Sequence, residues 1–538
     1  MVVPFLRGRA VRSLVPKKEC VRLLIPGDLE PDCLNQEWRV VSHPQKAKVL
    51  MFWDTFEWGI WFGGHILYSC GDDYHLCSSE DGWLGTQLFE EQASGMRRFW
   101  RDFESLPMRS RLEELLGLRA LLPVAEGAFH WHRSDVSNET GKIVCRLEWT
   151  SVTSGERGDE EVLHSCLVMP LRGYEAEAAR VVEYLTARGA HATEESALAL
   201  LLQHGNNVPQ KYTLRPSFGL KPETPAREAV RRIVRSILEI AVRNLPGIIK
   251  DLDTEFLHDY RICLRKIRSL LTLVKDVFPA AETGRMRTVL GDIARQTNRL
   301  RDLDVYLLAR DEYRALLPLE LRPQLEGMFE DFSAERALEV KRTISQMRAH
   351  PASQRLRKIE GYFSEETRHK ASSAADLPVG PLVFQGIYKR YKKIRKIAQG
   401  VGVETPDESI HQIRIECKKL RYLMEFFDEL IPGEDGAALL KMLRKLQGRL
   451  GDFNDASVQQ KSLLHYWQQK KSSSESALGV GGLVAILYHR QQQTRGQIEQ
   501  ELAAFCGGVA AATFKRVFKL PAHTYRALYD EIITLTKP

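Results

Sequence analysis

Two 23-residue segments carry the same row of basic side chains, and each row begins with a histidine. The first runs from Leu257 to Pro279 and the second from Ile410 to Pro432, and they align without a gap. Residues spaced i, i+3, i+7 and i+10 fall within about 80° of one another on an α-helix. That arc holds the following residues, which we call the basic stripes: His258, Arg261, Arg265 and Arg268 in the first, and His411, Arg414, Lys418 and Arg421 in the second. Such cationic donors bind phosphate groups, so the pattern indicates a polyanion site.

Basic residues on a single exposed helix face usually do no more than keep a protein soluble. Repetition argues against that interpretation here. Helix packing requires only the apolar face to repeat, as it does in Ile267 and Leu420. The order of cations on the exposed face is free unless a ligand contacts them. We therefore expect both stripes to be exposed and to line one positive groove between helical bundles.

Further cations flank the stripes and extend the candidate site. Lys266 and Lys419 also match between the two copies. Arg299 and Arg449 lie in a second matched run, and each precedes an aspartate by three residues. These arginines could bind the ligand, or they could form ion pairs with the aspartates that stabilise the helix. The offset between copies changes there from 153 to 150, which predicts a connecting loop three residues shorter in the second copy. Lys389 and Lys393 belong to a dense basic cluster that leads into the second stripe.

The repeated segments resemble the conserved histidine α-helical domain, or CHAD domain. The matching residues are H-x-x-R-x-x-x-R/K-K-x-R at His258–Arg268 and His411–Arg421, together with the run RLRDLDV at Arg299–Val305. The resemblance covers about residues 222 to 538. It implies two four-helix bundles related by pseudo-twofold symmetry, with basic surfaces that bind inorganic polyphosphate. It does not by itself imply catalysis.

Composition divides the chain into two halves of different character. Residues 1–200 carry 22 Lys+Arg and 30 Asp+Glu, whereas residues 201–538 carry 55 and 40. An excess of positive charge in one half favours an anionic partner for that half. We predict a multidomain protein with these parts: an α+β region at 1–205, a linker at 206–221, a first helical bundle at 222–370, a linker at 371–381 and a second bundle at 382–538.

Cysteine usage and hydropathy bear on location. The nine cysteines are odd in number and have no paired spacing, which is typical of reduced thiols. No apolar run approaches the roughly 18 to 20 residues needed to span a bilayer, and the opening residues lack the apolar core of a signal peptide. These features favour a cytoplasmic protein without a membrane partner. The sequence does not indicate its oligomeric state.

The first 200 residues alternate between strand and helix patterns and predict an antiparallel α+β domain. The predicted strands are Val21–Ile25, Lys46–Phe52, His65–Ser69, His75–Cys77, Ile143–Trp149 and Val162–Met169. The predicted helices are Phe89–Phe103, Met108–Leu116 and Tyr174–Arg188.

This region resembles the CYTH domain, a triphosphate tunnel fold, over about residues 15 to 195. The resemblance lies in the segments Trp53–Leu67, Leu118–Val124, Gly141–Trp149 and Arg172–Leu185. It implies a strand E-x-E-x-K whose carboxylates hold a divalent metal and whose lysine contacts triphosphate. If Arg22 occupies the lysine position, Lys18 and Cys20 stand in place of the glutamates. Without carboxylates Mg²⁺ loses its oxygen ligands, so we expect a degenerate tunnel with no metal site and no catalytic residues.

Three functions remain at this stage. A polyphosphate-binding protein, associated with polyphosphate granules and needing no cofactor, agrees best with the duplicated stripes. Nucleic-acid binding through the phosphate backbone is the alternative, although the helices show no base-reading pattern. A metal-dependent triphosphatase in the first domain is the third, and we expect that the protein is not an enzyme.

Overall fold

A computed structural model describes residues 20–79, 83–154, 160–349, 351–364, 372–402, 405–470 and 474–519. The chain divides into two compact units, Met1–Tyr212 and Thr213–Pro538. The first unit is built on an antiparallel sheet and the second is helical. The prediction of an α+β region followed by an all-α region is therefore confirmed. None of the described helices has the length and apolar character needed to cross a bilayer.

The first unit contains one ten-stranded sheet. Its strands are β1 (Val21–Leu24), β2 (Arg39–Ser42), β3 (Lys46–Asp54), β4 (His65–Cys70), β5 (Asp73–Ser78), β6 (Thr86–Gln92), β7 (Leu122–Ser137), β8 (Ile143–Ser154), β9 (Glu160–Pro170) and β10 (His191–Ala192). They follow the order β10-β1-β9-β8-β7-β3-β4-β5-β6, and β2 pairs with β7. The helices are α1 (Gly59–Phe62), α2 (Leu106–Leu116), α3 (Glu175–Thr186) and α4 (Ala197–His204).

Helices cover both faces of this sheet. Alternate residues of a strand point to opposite faces, so Leu50 and Phe52 of β3 pack in one core with α4. Trp53 points the other way and packs in a separate core with α2. The sheet is therefore apolar on both sides, and α4 fills the face opposite α2.

Two sequence predictions for this unit are wrong. Residues 89–103 were expected to form a helix, but Thr86–Gln92 is strand β6, whose Glu91 carboxylate accepts hydrogen bonds from the backbone N–H groups of Glu104 and Ser105. The longest strand, Leu122–Ser137, was not predicted, because its glycine and alternating small and polar residues give no continuous apolar pattern. Sheet pairing on both sides determines its conformation.

The second unit is a set of amphipathic helices. They are α5 (Ala226–Ile249), α6 (Thr254–Leu273), α7 (Ala280–Gln296), α8 (Asn298–Leu308), α9 (Arg310–Leu316), α10 (Glu326–Ala349), α11 (Ala352–Ser364), α12 (Val379–Ala398), α13 (Asp407–Phe426), α14 (Gly433–Lys470), α15 (Ser474–Cys506) and α16 (Gly508–Phe518). In the first half α5, α6, α7 and α11 pack together, and in the second half α12, α13, α14 and α16 do so.

The stripe helices begin and end at matched residues. Helix α6 spans Thr254–Leu273 and α13 spans Asp407–Phe426, so both contain 20 residues and both place the stripe histidine at the fifth position. Within each helix the apolar face is buried, as at Ile267 and Leu420. The two copies therefore use the same side for packing.

The helix that follows differs between the copies. Both copies start it directly after the matched proline, at Ala280 and at Gly433. The expected difference in loop length is therefore wrong, because the three extra residues of the first copy lie within the helix. The first copy is also interrupted at Thr297, between α7 and α8, whereas α14 continues without a break to Lys470.

Candidate functional site

The two stripes meet where α6 packs against α13. Arg265 on α6 lies close enough to Lys418 on α13 for its charge to act on that ammonium group, as do the charges of Arg414 and Arg421. We call Arg265, Arg414, Lys418 and Arg421 the cationic cluster. One member comes from the first repeat and three from the second, so the cluster spans both halves of the helical unit.

The cluster is electrostatically unfavourable for its own members. Lys418 is half-buried, and burial, followed by the positive charges of Arg265, Arg414 and Arg421, lowers its pKa to about 7. The negative charge of Asp455 acts in the opposite direction but is outweighed. Buried like charges raise the free energy of a fold unless a counter-charge arrives. Such an arrangement is typical of sites that bind anions.

Three members of the cluster keep their donors available. Within the described residues, the side chains of Arg265, Arg414 and Lys418 form no hydrogen bond or ion pair. Arg421 lies 3.8 Å from Glu425 and its Nε is buried without a hydrogen-bond partner. Arg268, one turn beyond Arg265, is exposed and is likewise unpaired in the described part of the chain. The cluster therefore offers several guanidinium donors to an external acceptor.

Arg261 was expected to be an exposed ligand contact, but it is only partly exposed and its guanidinium group binds other parts of the fold. Its Nη1 donates to the Ala294 carbonyl oxygen at 2.7 Å and to the Thr297 hydroxyl at 2.6 Å. Nη2 donates to Oδ1 of Asn298 at 2.9 Å. The guanidinium thus closes the break between α7 and α8, where backbone carbonyls lack helical partners. Because α14 has no such break, the matching Arg414 has no carbonyl to bind.

Lys266 was also expected to contact the ligand, but it is buried. Only 8% of it is exposed, and its Nζ donates to the Leu214 carbonyl oxygen at 2.5 Å. Burial lowers its pKa, while the nearby Glu425 acts to raise it. Lys266 therefore ties the segment before α5 to α6.

Lys393 and Lys419 bind a buried carboxylate. Glu416 is 3% exposed, and the ammonium groups of Lys393 and Lys419 lie 3.0 and 2.9 Å from its Oε1. Arg390 reaches Oε2 at 3.1 Å. Burial acts to raise the pKa of Glu416, but these hydrogen bonds outweigh burial and lower it. Lys393 and Arg390 therefore help to hold α12 against α13, Lys419 pairs with Glu416 within α13, and Lys389 is exposed.

The arginines of the second matched run form ion pairs. Arg299 donates Nε and Nη2 to the Glu335 carboxylate at 2.6 and 2.5 Å, a hydrogen bond that raises its pKa. Arg449 lies 3.7 Å from Asp452 on the same helix. Arg299 thus forms an ion pair within the fold, which was one of the two alternatives for it, although its partner is Glu335 rather than Asp302.

The two stripe histidines have different surroundings. His411 is exposed, and its Nδ1 lies 3.0 Å from Oδ1 of Asn454. An amide oxygen only accepts, so Nδ1 carries the proton and Nε2 becomes a second donor when the ring is protonated. His258 is half-buried beside Glu255 and Asp259, with candidate ligand atoms of all three within 4.8 Å of one another. This trio has the donor types of a metal site, but Arg301 Nη1 lies 3.9 Å from Glu255 and supplies a competing positive charge.

One feature near the cluster was not predicted from the sequence. Glu425 has a 6% exposed side chain, and Arg444 on α14 donates Nε and Nη2 to its Oε1 at 3.3 and 3.2 Å. Arg421 also faces this carboxylate. The first copy has Thr272 at the position of Glu425 and Gly291 or Ala294 at that of Arg444, so the repeat gives no signal for either.

In the first unit, Arg22 does not have the surroundings of a phosphate-binding residue. Its Nη1 donates to the Ser165 hydroxyl at 3.1 Å, its Nη2 lies 3.7 Å from Glu148, and its guanidinium lies 4.6 Å from the centre of the Trp83 ring. Burial lowers its pKa. Cys20 is exposed, and Lys18 lies outside the described residues. This face of the sheet is the apolar one that α4 covers.

Comparison with known proteins finds a family match within the helical unit. Residues 232–464 match the family model of the CHAD domain. The helical unit contains a CHAD domain. The matched CHAD residues include both basic stripes and the whole cationic cluster, together with Arg444.

Relatives of known sequence or structure cover parts of the chain. Two uncharacterized proteins of Mycobacterium tuberculosis, from strains CDC 1551 and H37Rv, are each 25% identical over 256 residues, which is 46% of this chain and 46% of the relative. The chain thus matches less than half the length of these relatives. The crystal structure of the CHAD domain from the plant Ricinus communis matches with 23% sequence identity and a TM-score of 0.46. The match covers 54% of this chain and 96% of the Ricinus communis chain. PptA from Streptomyces chartreusis matches with 18% sequence identity and a TM-score of 0.38. The match covers 52% of this chain and 99% of the PptA chain.

Proposed function

We propose that the CHAD domain binds inorganic polyphosphate at the cationic cluster. The observation that carries this proposal is the meeting of Arg265 with Arg414 and Lys418 across two helices, with no acidic side-chain partner for these three among the described residues. A phosphate chain carries negative charge along its whole length. It can therefore neutralise several of these cations at once and recover the free energy that their mutual repulsion costs.

The donors suit phosphate oxygens. Arg265 and Arg414 offer planar guanidinium groups that bind two oxygens at a time, and Lys418 offers a point charge between them. Bound phosphate favours the protonated form of Lys418. Arg268 and Lys389 are exposed and extend the positive surface beyond the cluster.

The surroundings favour an inorganic chain over nucleic acid. Proteins that bind single strands stack bases on exposed aromatic side chains. The aromatic residues of α6 and α13 are all buried: Phe256, Tyr260, Tyr422 and Phe426. On the described residues of α6 and α13, a ligand at the cluster therefore meets cations and no exposed aromatic ring.

Titration of the purified protein with long-chain polyphosphate, DNA and RNA at two salt concentrations tests the proposal. Polyphosphate should bind most tightly, and the affinity should fall steeply with salt. The triple variant Arg265→Ala, Arg414→Ala, Lys418→Ala should weaken binding by at least about a hundredfold, since hydrogen bonds to charged groups contribute about 1.5–3 kcal/mol each.

A matched control removes three exposed arginines that pair with surface carboxylates, Arg285, Arg342 and Arg516. The control variant loses at least as much positive charge as the cluster variant and should bind as the parent does. An equal loss of polyphosphate affinity in the two triple variants would show that the protein binds through its overall charge and not through the cluster. Tighter binding of RNA or DNA would assign the site to nucleic acid.

We extend the proposal to the rest of the chain. The first unit should carry out no triphosphate hydrolysis, because Arg22 is engaged by Ser165 and Glu148 beneath an apolar helix.

In a cell that stores polyphosphate, a fluorescent fusion of the protein should concentrate on polyphosphate granules. The triple cluster variant should remain diffuse in the same cells.

A further inference from the structure

Residues 214–220, which precede α5, form a segment that we call the strap. At one end the Leu214 carbonyl oxygen accepts the hydrogen bond from Lys266 of α6. At the other end the backbone N–H groups of Phe218 and Leu220 donate to the two carboxylate oxygens of Glu429 at 2.6 and 2.8 Å. The strap therefore joins the first-repeat helix α6 to the end of the second-repeat segment.

The strap has a defined conformation at its anchored end. Gly219 has a φ of +61°, which allows the N–H groups on either side to converge on one carboxylate. Burial acts to raise the pKa of Glu429, but the hydrogen bonds from the strap outweigh burial and lower it. Arg232 of α5 adds a hydrogen bond to the Gly219 carbonyl oxygen at 3.0 Å. The segment is thus held by three separate helical elements or their ends.

The strap carries a cation to the edge of the cationic cluster. Arg215 is exposed, with 54% of its side chain accessible, and its Nη2 lies 3.2 Å from Oε1 of Glu425. Arg444 binds the same Oε1 atom of Glu425, and the Glu425 carboxylate also lies 3.8 Å from Arg421, a member of the cluster. Three arginines thus face the carboxylate of Glu425, and Asp428 is a further acidic neighbour of that carboxylate.

Arg215 stands near the position where the repeat predicts a ligand-binding lysine. The charges of Arg215, Arg421 and Glu425 all act on Lys266, so these four groups are neighbours. Lys266 is buried and bound to the strap. The exposed guanidinium group of Arg215 therefore offers a cation to solvent beside the buried Lys266.

A purely structural role explains Arg215 poorly. The Glu425 carboxylate is buried, but Arg444 lies 3.2 Å and Arg421 lies 3.8 Å from it, so it keeps two positive neighbours without Arg215. The strap is already fixed by Lys266 and Glu429 through backbone groups. Removing the Arg215 side chain would leave these anchors intact.

We infer that Arg215 is a further polyphosphate-binding residue, supplied to the cationic cluster from outside both repeats, and that Glu429 is the positioning residue that holds its strap in place. This inference rests on the proposed function, since it extends the same site. It predicts that a fragment starting at α5 would retain the repeats but lack part of the binding surface.

The test measures polyphosphate affinity across a series of salt concentrations for the full chain and four variants. Arg215→Ala should weaken binding about tenfold and reduce the salt dependence by the equivalent of about one phosphate contact. Arg215→Lys should restore the salt dependence. Glu429→Gln should weaken binding when Arg215 is present and have no further effect in the Arg215→Ala, Glu429→Gln double variant.

Arg342→Ala serves as the control, because Arg342 is also an exposed arginine with one carboxylate neighbour, Glu339. It should bind as the parent does. Parent-like affinity and salt dependence in Arg215→Ala would overturn the inference and leave the proposed function standing. Additive losses from Arg215→Ala and Glu429→Gln would overturn the positioning role of Glu429. A parent protein that fails to bind polyphosphate would overturn both the inference and the proposed function.

Discussion

Binding of polyphosphate should take up a proton, because Lys418 is only partly protonated in the free protein near neutral pH. Its pKa of about 7 results from burial and from Arg265, Arg414 and Arg421 around it. A phosphate chain that neutralises those arginines removes the repulsion and favours the ammonium form. The pKa of Lys418 should then return toward its ordinary value of 10.5.

The size of the effect follows from the two pKa values. In the free protein the lysine is about half protonated at pH 7 and about one-tenth protonated at pH 8, whereas in the complex it is almost fully protonated at both. Binding should therefore take up about 0.5 proton at pH 7 and about 0.9 at pH 8 through this group. The uptake should increase with pH over this interval, which is the reverse of what an ordinary histidine would give.

Isothermal titration calorimetry at pH 8 in two buffers of different ionisation enthalpy, such as HEPES and Tris, measures the uptake. Long chains keep the contribution of titrating end groups small. The variant Lys418→Met should lose about 0.9 proton of uptake at pH 8, while Lys358→Met, which removes an exposed lysine from α11, should behave as the parent does. A buffer-independent enthalpy, or the same uptake in Lys418→Met as in the parent, would refute the reasoning.

Further predictions concern stability and the first unit. Arg261→Met should destabilise the fold by about 2 kcal/mol in denaturant unfolding, because it leaves the break between α7 and α8 open, and should change polyphosphate affinity little. Arg414→Met should do the opposite, with an unfolding free energy within about 0.5 kcal/mol of the parent and a clear loss of affinity. Lys418→Met should raise the melting temperature at pH 7, and this gain should become smaller toward pH 10. The reason is that the folded parent binds fewer protons at Lys418 than the unfolded parent between these pH values, so the parent becomes more stable as the pH rises. Purified protein should release no phosphate from tripolyphosphate or ATP with Mg²⁺ or Mn²⁺; turnover that follows the protein through purification would contradict this.

The repeat allowed much of the helical unit to be predicted. A gap-free alignment of apolar positions requires equivalent packing, and the stripe helices begin and end at matched residues as a result. The same alignment could not predict the break at Thr297. A break depends on how α8 and α10 pack beside one another, and contacts between distant segments do not appear in a local periodicity.

The first unit shows where patterning fails. Strands with one buried face alternate, and most of those were predicted. Strand β7 pairs with β3 and β2 on one side and with β8 on the other, and it needs no strong apolar pattern of its own. Residues 86–92 carry enough glutamate and glutamine to look helical, but pairing with β5 determines their conformation.

Helical periodicity predicts the face on which a cation lies, and the partner that the cation meets there decides its role. Arg261 and Arg414 occupy matched positions, yet the first binds the Ala294 carbonyl oxygen at a helix break and the second has a continuous helix beside it. Lys266 and Lys419 are likewise matched, and one binds the strap while the other binds Glu416. A duplicated row of basic residues therefore contains members that bind other parts of the fold and members that keep their donors available. The cations left without a partner after folding are the ones that an external anion can stabilise, and in the described part of the stripes these include Arg265, Arg268, Arg414 and Lys418.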